Sequence, residues 1–65
     1  MTSALTPREL DVLKLAALGL TDAQIAHELR LSAHHVGHVM ASACHKLGAS
    51  SRTQAVAIAV RAGRA

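Results

Sequence analysis

A chain of 65 residues allows one domain at most, and it hides only about 60% of its unfolded surface, so its intrinsic stability is marginal. It has no Phe, Tyr or Trp, and fourteen alanines, so the core must be thin and built from Leu, Val, Ile, Ala and Met between closely spaced helices. Seven Lys/Arg against four Asp/Glu give a formal net charge of +3, with five His in addition; this favours an anionic partner, nucleic acid first, although a slightly basic soluble domain fits the charge equally well.

The first helix is announced by Thr6-Pro7-Arg8-Glu9. A hydroxyl stands at the N-cap, Pro at the first helical position, and Glu three residues after the cap. The helix is expected over about 7–18, stopping at Gly19. Val12, Leu13 and Ala16 form its inward stripe, while Leu10, Ala17 and Leu18 form a second apolar strip. Thr21 with Gln24 repeats the capping pattern and opens a second helix over about 22–29, with Ile25, Ala26 and Leu29 inward. Arg30-Leu31 makes a short turn. Ser32 then caps a third helix over about 33–47, whose inward residues Val36, Met40, Ala43 and Leu47 are spaced as one helical face requires. Gly48 ends it. Ser51 with Gln54 predicts a third capping box and a last helix over about 52–62, stopped by Gly63. Ala55, Val56, Ile58, Ala59 and Val60 make that helix apolar on more than one side, so it wants a second contact surface. The expected fold is all-α: a single domain over 1–65 with a tri-helical core and a fourth helix.

An eight-residue helix, a tight turn and a longer helix opened by Ser form the helix-turn-helix pattern. The first of the pair crosses the phosphate backbone, and the second presents side chains to base edges in the major groove. Several segments in order resemble one family. Leu5-Thr6-Pro7-Arg8-Glu9, Val12-Leu13 and Gly19-Leu20 are similar to the opening of the LuxR-type (GerE-like) helix-turn-helix domain. Gln24-Ile25-Ala26-His27-Glu28-Leu29 with Leu31-Ser32, then Lys46-Leu47-Gly48 and Ser51-Arg52-Thr53-Gln54-Ala55-Val56, continue the likeness to about Gly63. The resemblance implies a DNA-binding transcription regulator of bacteria whose third helix reads double-stranded DNA, as a homodimer on an inverted repeat. It also implies pairing through the fourth helix, here Ala55, Ile58, Ala59 and Ala62. Relatives carry an N-terminal receiver or ligand-binding domain, and Met1 fits either the start of a single-domain regulator or the edge of a fragment.

The third helix departs from the family. Relatives usually have a stretch like Pro-x-Thr-Val-Lys-x-His after the cap; here Ala33-His34-His35-Val36-Gly37-His38-Val39 keeps only Val36. His35 stands for the usual Thr, Gly37 for the usual Lys and Val39 for the usual His. Ala41 stands where another polar or basic residue is common, which leaves Lys46 as the helix's one permanent cation. Gly37 also costs the helix about 1 kcal/mol relative to Ala. His34, His38, Ala41 and His45 share one stripe, and His35, His38, Ser42 and His45 an overlapping one. Three readings of this histidine surface stand side by side. It contacts the groove or phosphates, with binding that strengthens as imidazoles protonate near pH 6.5. It is a solvated face on a domain that lost base readout and serves as a protein-interaction or dimerisation domain. Or His34 and His38, at i and i+4, hold a metal ion; His45 is too far to close that site, and a pair without a third local ligand is weak support.

Thr21 caps the second helix and can also offer its hydroxyl to DNA. Arg52 reaches a phosphate or forms an ion pair with Glu9. Lys46 contacts a phosphate or satisfies the helix dipole. Cys44 reads as packing, and as a single cysteine it forms no internal disulfide, which fits a reducing cytoplasm. The expected DNA contacts are thus Thr21, His34, His35, His38, Ser42, His45, Lys46 and Arg52. No cofactor, no metal and no membrane association is expected, since no apolar run reaches the roughly 18–20 residues of a span and no signal peptide pattern appears. Enzymatic function is not expected, because so small a bundle has no room for an ordinary pocket and lacks a Gly-rich phosphate loop or metal-protease spacing.

Overall fold

Each helix begins where a side-chain oxygen replaces the hydrogen bonds that its first turn lacks. The computed structural model describes residues 4–64. Within them lie α1 (Pro7–Ala17), α2 (Asp22–Leu29), α3 (Ala33–Leu47) and α4 (Arg52–Arg61). No strand occurs among the described residues, and the fold is all-α. Thr6 Oγ1 accepts from Glu9 N–H at 3.1 Å while Glu9 Oε1 accepts from Thr6 N–H at 2.8 Å; Thr21 and Gln24 do the same at 3.2 and 2.8 Å. These are complete capping boxes. The box expected at Ser51 is only half formed. Ser51 Oγ accepts from Gln54 N–H at 3.1 Å, but Gln54 Oε1 accepts instead from the N–H and hydroxyl of Ser50, at 2.6 and 2.9 Å. Two donors on Ser50 outcompete the single N–H of Ser51.

Helix α1 stops one residue before Leu18 and α4 one before Ala62; both residues serve as caps, still bonded to the preceding turn. Leu18, expected in a second apolar strip, is 75% exposed because the chain turns away there. Turns after α2 and α3 are built alike. Leu31 N–H donates to the Ala26 carbonyl at 2.8 Å, and Ala49 N–H to the Cys44 carbonyl at 2.9 Å. Both turns need a left-handed residue at the cap. After α3 it is Gly48, φ 66°, which adopts this conformation without penalty. After α2 it is Arg30, φ 57°, whose Cβ makes the same conformation costly. The turn persists because Leu31 beyond it packs against the core.

The core lies where all four helices meet. Leu13, Val12, Ile25 and Val36 are its largest fully buried side chains, joined by Ala26, Met40, Ala43, Ala55 and Ala59. Burying each large aliphatic side chain contributes about 1.5–3 kcal/mol. Leu47, Leu29 and Ala16, expected inward, are only half-buried at the edge of this cluster. Ala43 of α3 and Ala55 and Ala59 of α4 present single methyl groups, which lets those helices approach closely. This corrects one expectation. Ala55 and Ala59, 0% and 1% exposed, are used inside the chain's own core and are not available to a second copy.

Candidate nucleic-acid interface

Val36, Met40 and Ala43 fix the inner face of α3, and that decides what its outer face shows. His34, His35, His38, Ala41, Ser42 and His45 all lie exposed on the opposite arc. At 100° per residue, His34, His38, Ala41 and His45 fall within one narrow band of that arc, with His35 and Ser42 at its edge. No acidic residue occurs anywhere in α3, so the arc carries nothing to repel an anion. The arc begins at Ser32, whose Oγ accepts from His35 N–H at 3.0 Å.

The rings of His34 and His38 are 4.8 Å apart at 78°, edge to face. Beneath them Gly37 and Ala41 leave a shallow hollow that these four residues line. A Cβ placed on Gly37 would meet nothing within 4 Å. Among the described residues no group of three or more His, Cys, Asp or Glu side chains converges as a ready-made metal site.

Lys46 and Ser42 are engaged with α1. The Lys46 ammonium donates to Glu9 Oε1 at 2.9 Å and to the Ala4 carbonyl at 3.3 Å, and the Ser42 hydroxyl donates to Glu9 Oε2 at 2.7 Å. Glu9, 5% exposed, is the buried acid of the core. Burial pushes its carboxyl up, but Thr6 N–H, Lys46 and Ser42 outweigh that and hold it at about 2, below the ordinary 4.5. Sequence reading gave Glu9 a capping role and missed this hub. The signal was present in Ser42 and Lys46, one turn apart at i and i+4, where one carboxylate can meet both.

Arg52 pairs with Asp22, not with Glu9 as expected. Glu9 is saturated by α3, whereas Asp22 and Arg52 stand at the first positions of α2 and α4 and bring those two helix starts together. The Arg52 side chain stays 39% exposed. Thr21 is exposed beside this pair; its oxygen accepts from Gln24 N–H, and its own proton is free to donate. Arg30, exposed in the turn two residues before Ser32, is a cation that the sequence reading treated only as turn. Ile58 is half-buried, Ala62 exposed, and Val60, 49% exposed, is the large apolar side chain that α4 leaves most open. No helix of the described residues is long and apolar enough to cross a membrane.

Comparison with known proteins bears on this arrangement. Residues 3–59 match the model of a family described as bacterial regulatory proteins, luxR family. The chain is 44% identical over 63 residues to a quorum sensing-dependent transcriptional regulator, VjbR, of Brucella abortus, covering 97% of this chain and 24% of that protein. It is 48% identical over 59 residues to the response regulator RamR of Streptomyces coelicolor, covering 91% of this chain and 29% of that one. The chain therefore spans about a quarter of the length of these relatives. The solved structure of the transcription factor GerE superposes with a TM-score of 0.88 at 31% identity, covering 95% of this chain and 92% of that one.

Proposed function

Because this chain belongs to the luxR family of bacterial regulatory proteins and has its DNA-binding fold, we propose that α3 lies in the major groove of double-stranded DNA and reads it with histidines. The observation that carries this is the exposed, acid-free arc of α3, with His34, His38 and His45 at its centre and His35 at its edge. Neutral imidazole offers one donor and one acceptor to base edges, and imidazolium adds charge toward phosphate. Thr21, at the start of α2, donates to a backbone phosphate, and Arg52 keeps part of its guanidinium open for the same purpose. Lys46 and Ser42, which the sequence places among DNA contacts, act mainly by clamping α3 to α1.

In this reading two copies bind an inverted repeat and pair through α4. With Ala55 and Ala59 buried in the chain's own core, the exposed Val60 is the large apolar side chain that α4 offers to that pairing. The domain works in the cytoplasm under an N-terminal receiver or ligand-binding domain of a longer regulator; the response regulator among the relatives supports the receiver form. A second reading, a protein-interaction domain with weakened DNA readout, is favoured by one observation. Both permanent cations that the sequence assigns to DNA, Lys46 and Arg52, are already paired with acids. Fluorescence anisotropy on a generic duplex at about 50 mM salt separates the two, because electrostatic affinity is largest there. Saturable binding supports DNA reading, and its absence supports the second reading.

A further inference from the structure

We propose that His34 and His38 chelate a single divalent transition-metal ion of the zinc, nickel or copper class on the outer face of α3. Three observations converge on this pair. The two imidazoles stand one turn apart on the same exposed face. Their ring centres are 4.8 Å apart. An ion about 2.1 Å from each imidazole nitrogen, with a bond angle between square and tetrahedral, sets two ring centres about 4.6–5.3 Å apart. The backbone therefore already holds the rings at chelating separation. Turning the planes from edge-to-face to convergent requires rotation about χ2, a soft torsion on exposed side chains.

The hollow beside the pair is the third observation. Its remaining walls are Gly37 and Ala41, small residues that leave a shallow hollow beside the rings. A lysine or leucine at Gly37 would fill that space. An ion held there has two protein ligands only, since no third His, Cys, Asp or Glu converges among the described residues. Its remaining positions stay open to water or to an incoming oxygen or nitrogen donor. His35 and His45 share the arc but not the pair: His35 is rotated about 100° from His34, and His45 lies two turns beyond His38.

This goes beyond the proposed function and adds to it. A bound divalent ion places positive charge on a face that lacks a fixed cation, and its open positions suit phosphate oxygen or purine N7. The DNA part of this statement rests on the groove-reading proposal; ion binding by the free chain does not.

The test is calorimetric titration of the untagged full chain, without DNA, using CuCl2, NiCl2, ZnCl2 and MgCl2, with amide shifts of α3 as a second readout. The expected result is one ion per chain, tightest for Cu2+ in keeping with the usual order of divalent affinities, and none for Mg2+. H34Q and H38Q each weaken binding at least about tenfold, while H35Q and H45Q leave it unchanged; all four positions are exposed, and circular dichroism verifies the helix content. Absence of saturation below about 1 mM, or equal weakening by H35Q, overturns the proposal and leaves an edge-to-face ring contact only. Repeating the DNA titration with and without ZnCl2 tests the added role: enhancement lost in H38Q supports it, and metal binding without enhancement overturns that role alone.

Discussion

The Lys46 ammonium and the Glu9 carboxylate meet at 2.9 Å across the contact between α3 and α1, with side chains 22% and 6% exposed. Ser42 completes the clamp from one turn earlier. The relationship removes a cation from the surface and uses it to orient the helix that carries the histidines. Lys46→Met should therefore lower stability by about 2 kcal/mol, the scale of a hydrogen bond to a charged group. It should leave the slope of DNA affinity against salt unchanged, whereas loss of a true phosphate contact reduces that slope by about 1. Denaturant unfolding and salt-dependent anisotropy read the two effects separately.

Acid stability follows from the same carboxylate. The folded value of Glu9, about 2, lies below the ordinary 4.5. A depressed folded value means that the unfolded chain takes up the proton first. Its contribution is then fully present above pH 4.5 and is lost as pH falls from 4.5 toward 2. Circular dichroism at a fixed low urea concentration should show unfolding in that window. Glu9→Gln should be less stable at neutral pH and lose this acid dependence.

Gly37 sits inside α3 with open space where a Cβ would stand. Gly37→Ala should stabilise the domain by about 1 kcal/mol through helix propensity alone. For a domain of this size that raises Tm by roughly 4–8 °C. An unchanged or lower Tm would show that helix propensity does not limit stability at this position.

Arg30 holds a left-handed conformation at φ 57°. Arg30→Gly should relieve a strain of about 1–2 kcal/mol, offset in part by the greater freedom of unfolded glycine. Arg30→Val should destabilise strongly, because a β-branched residue resists that conformation. If Arg30 also meets a phosphate, the glycine variant is more stable yet binds DNA more weakly, a split that thermal melts and anisotropy detect together.

Replacing His34, His38 and His45 together by Gln should weaken DNA binding at least about tenfold, since one lost base contact is worth about 1–3 kcal/mol. Anisotropy at fixed pH and ionic strength measures it, and all three positions are exposed, so the fold is kept. Unchanged affinity would refute histidine-based contact.

The sequence by itself determined the helices and the identity of the outer face. Threonine and serine caps, Pro7, and the spacing of Val36, Met40 and Ala43 are local or periodic signals, and the 3.6-residue repeat then dictates that His34, His38 and His45 face away from the core. Only the tertiary structure decided the pairing of charges and the use of α4. Lys46 and Glu9 are 37 residues apart, and Arg52 and Asp22 are 30 apart. Partner choice at such distances depends on which helix ends the core brings together. Likewise small side chains such as Ala55 and Ala59 carry no mark in the sequence that separates a core contact from a contact with a second copy. Burial against α1 and α3 made that choice, because a chain without aromatic residues closes its core by letting helices meet at alanine.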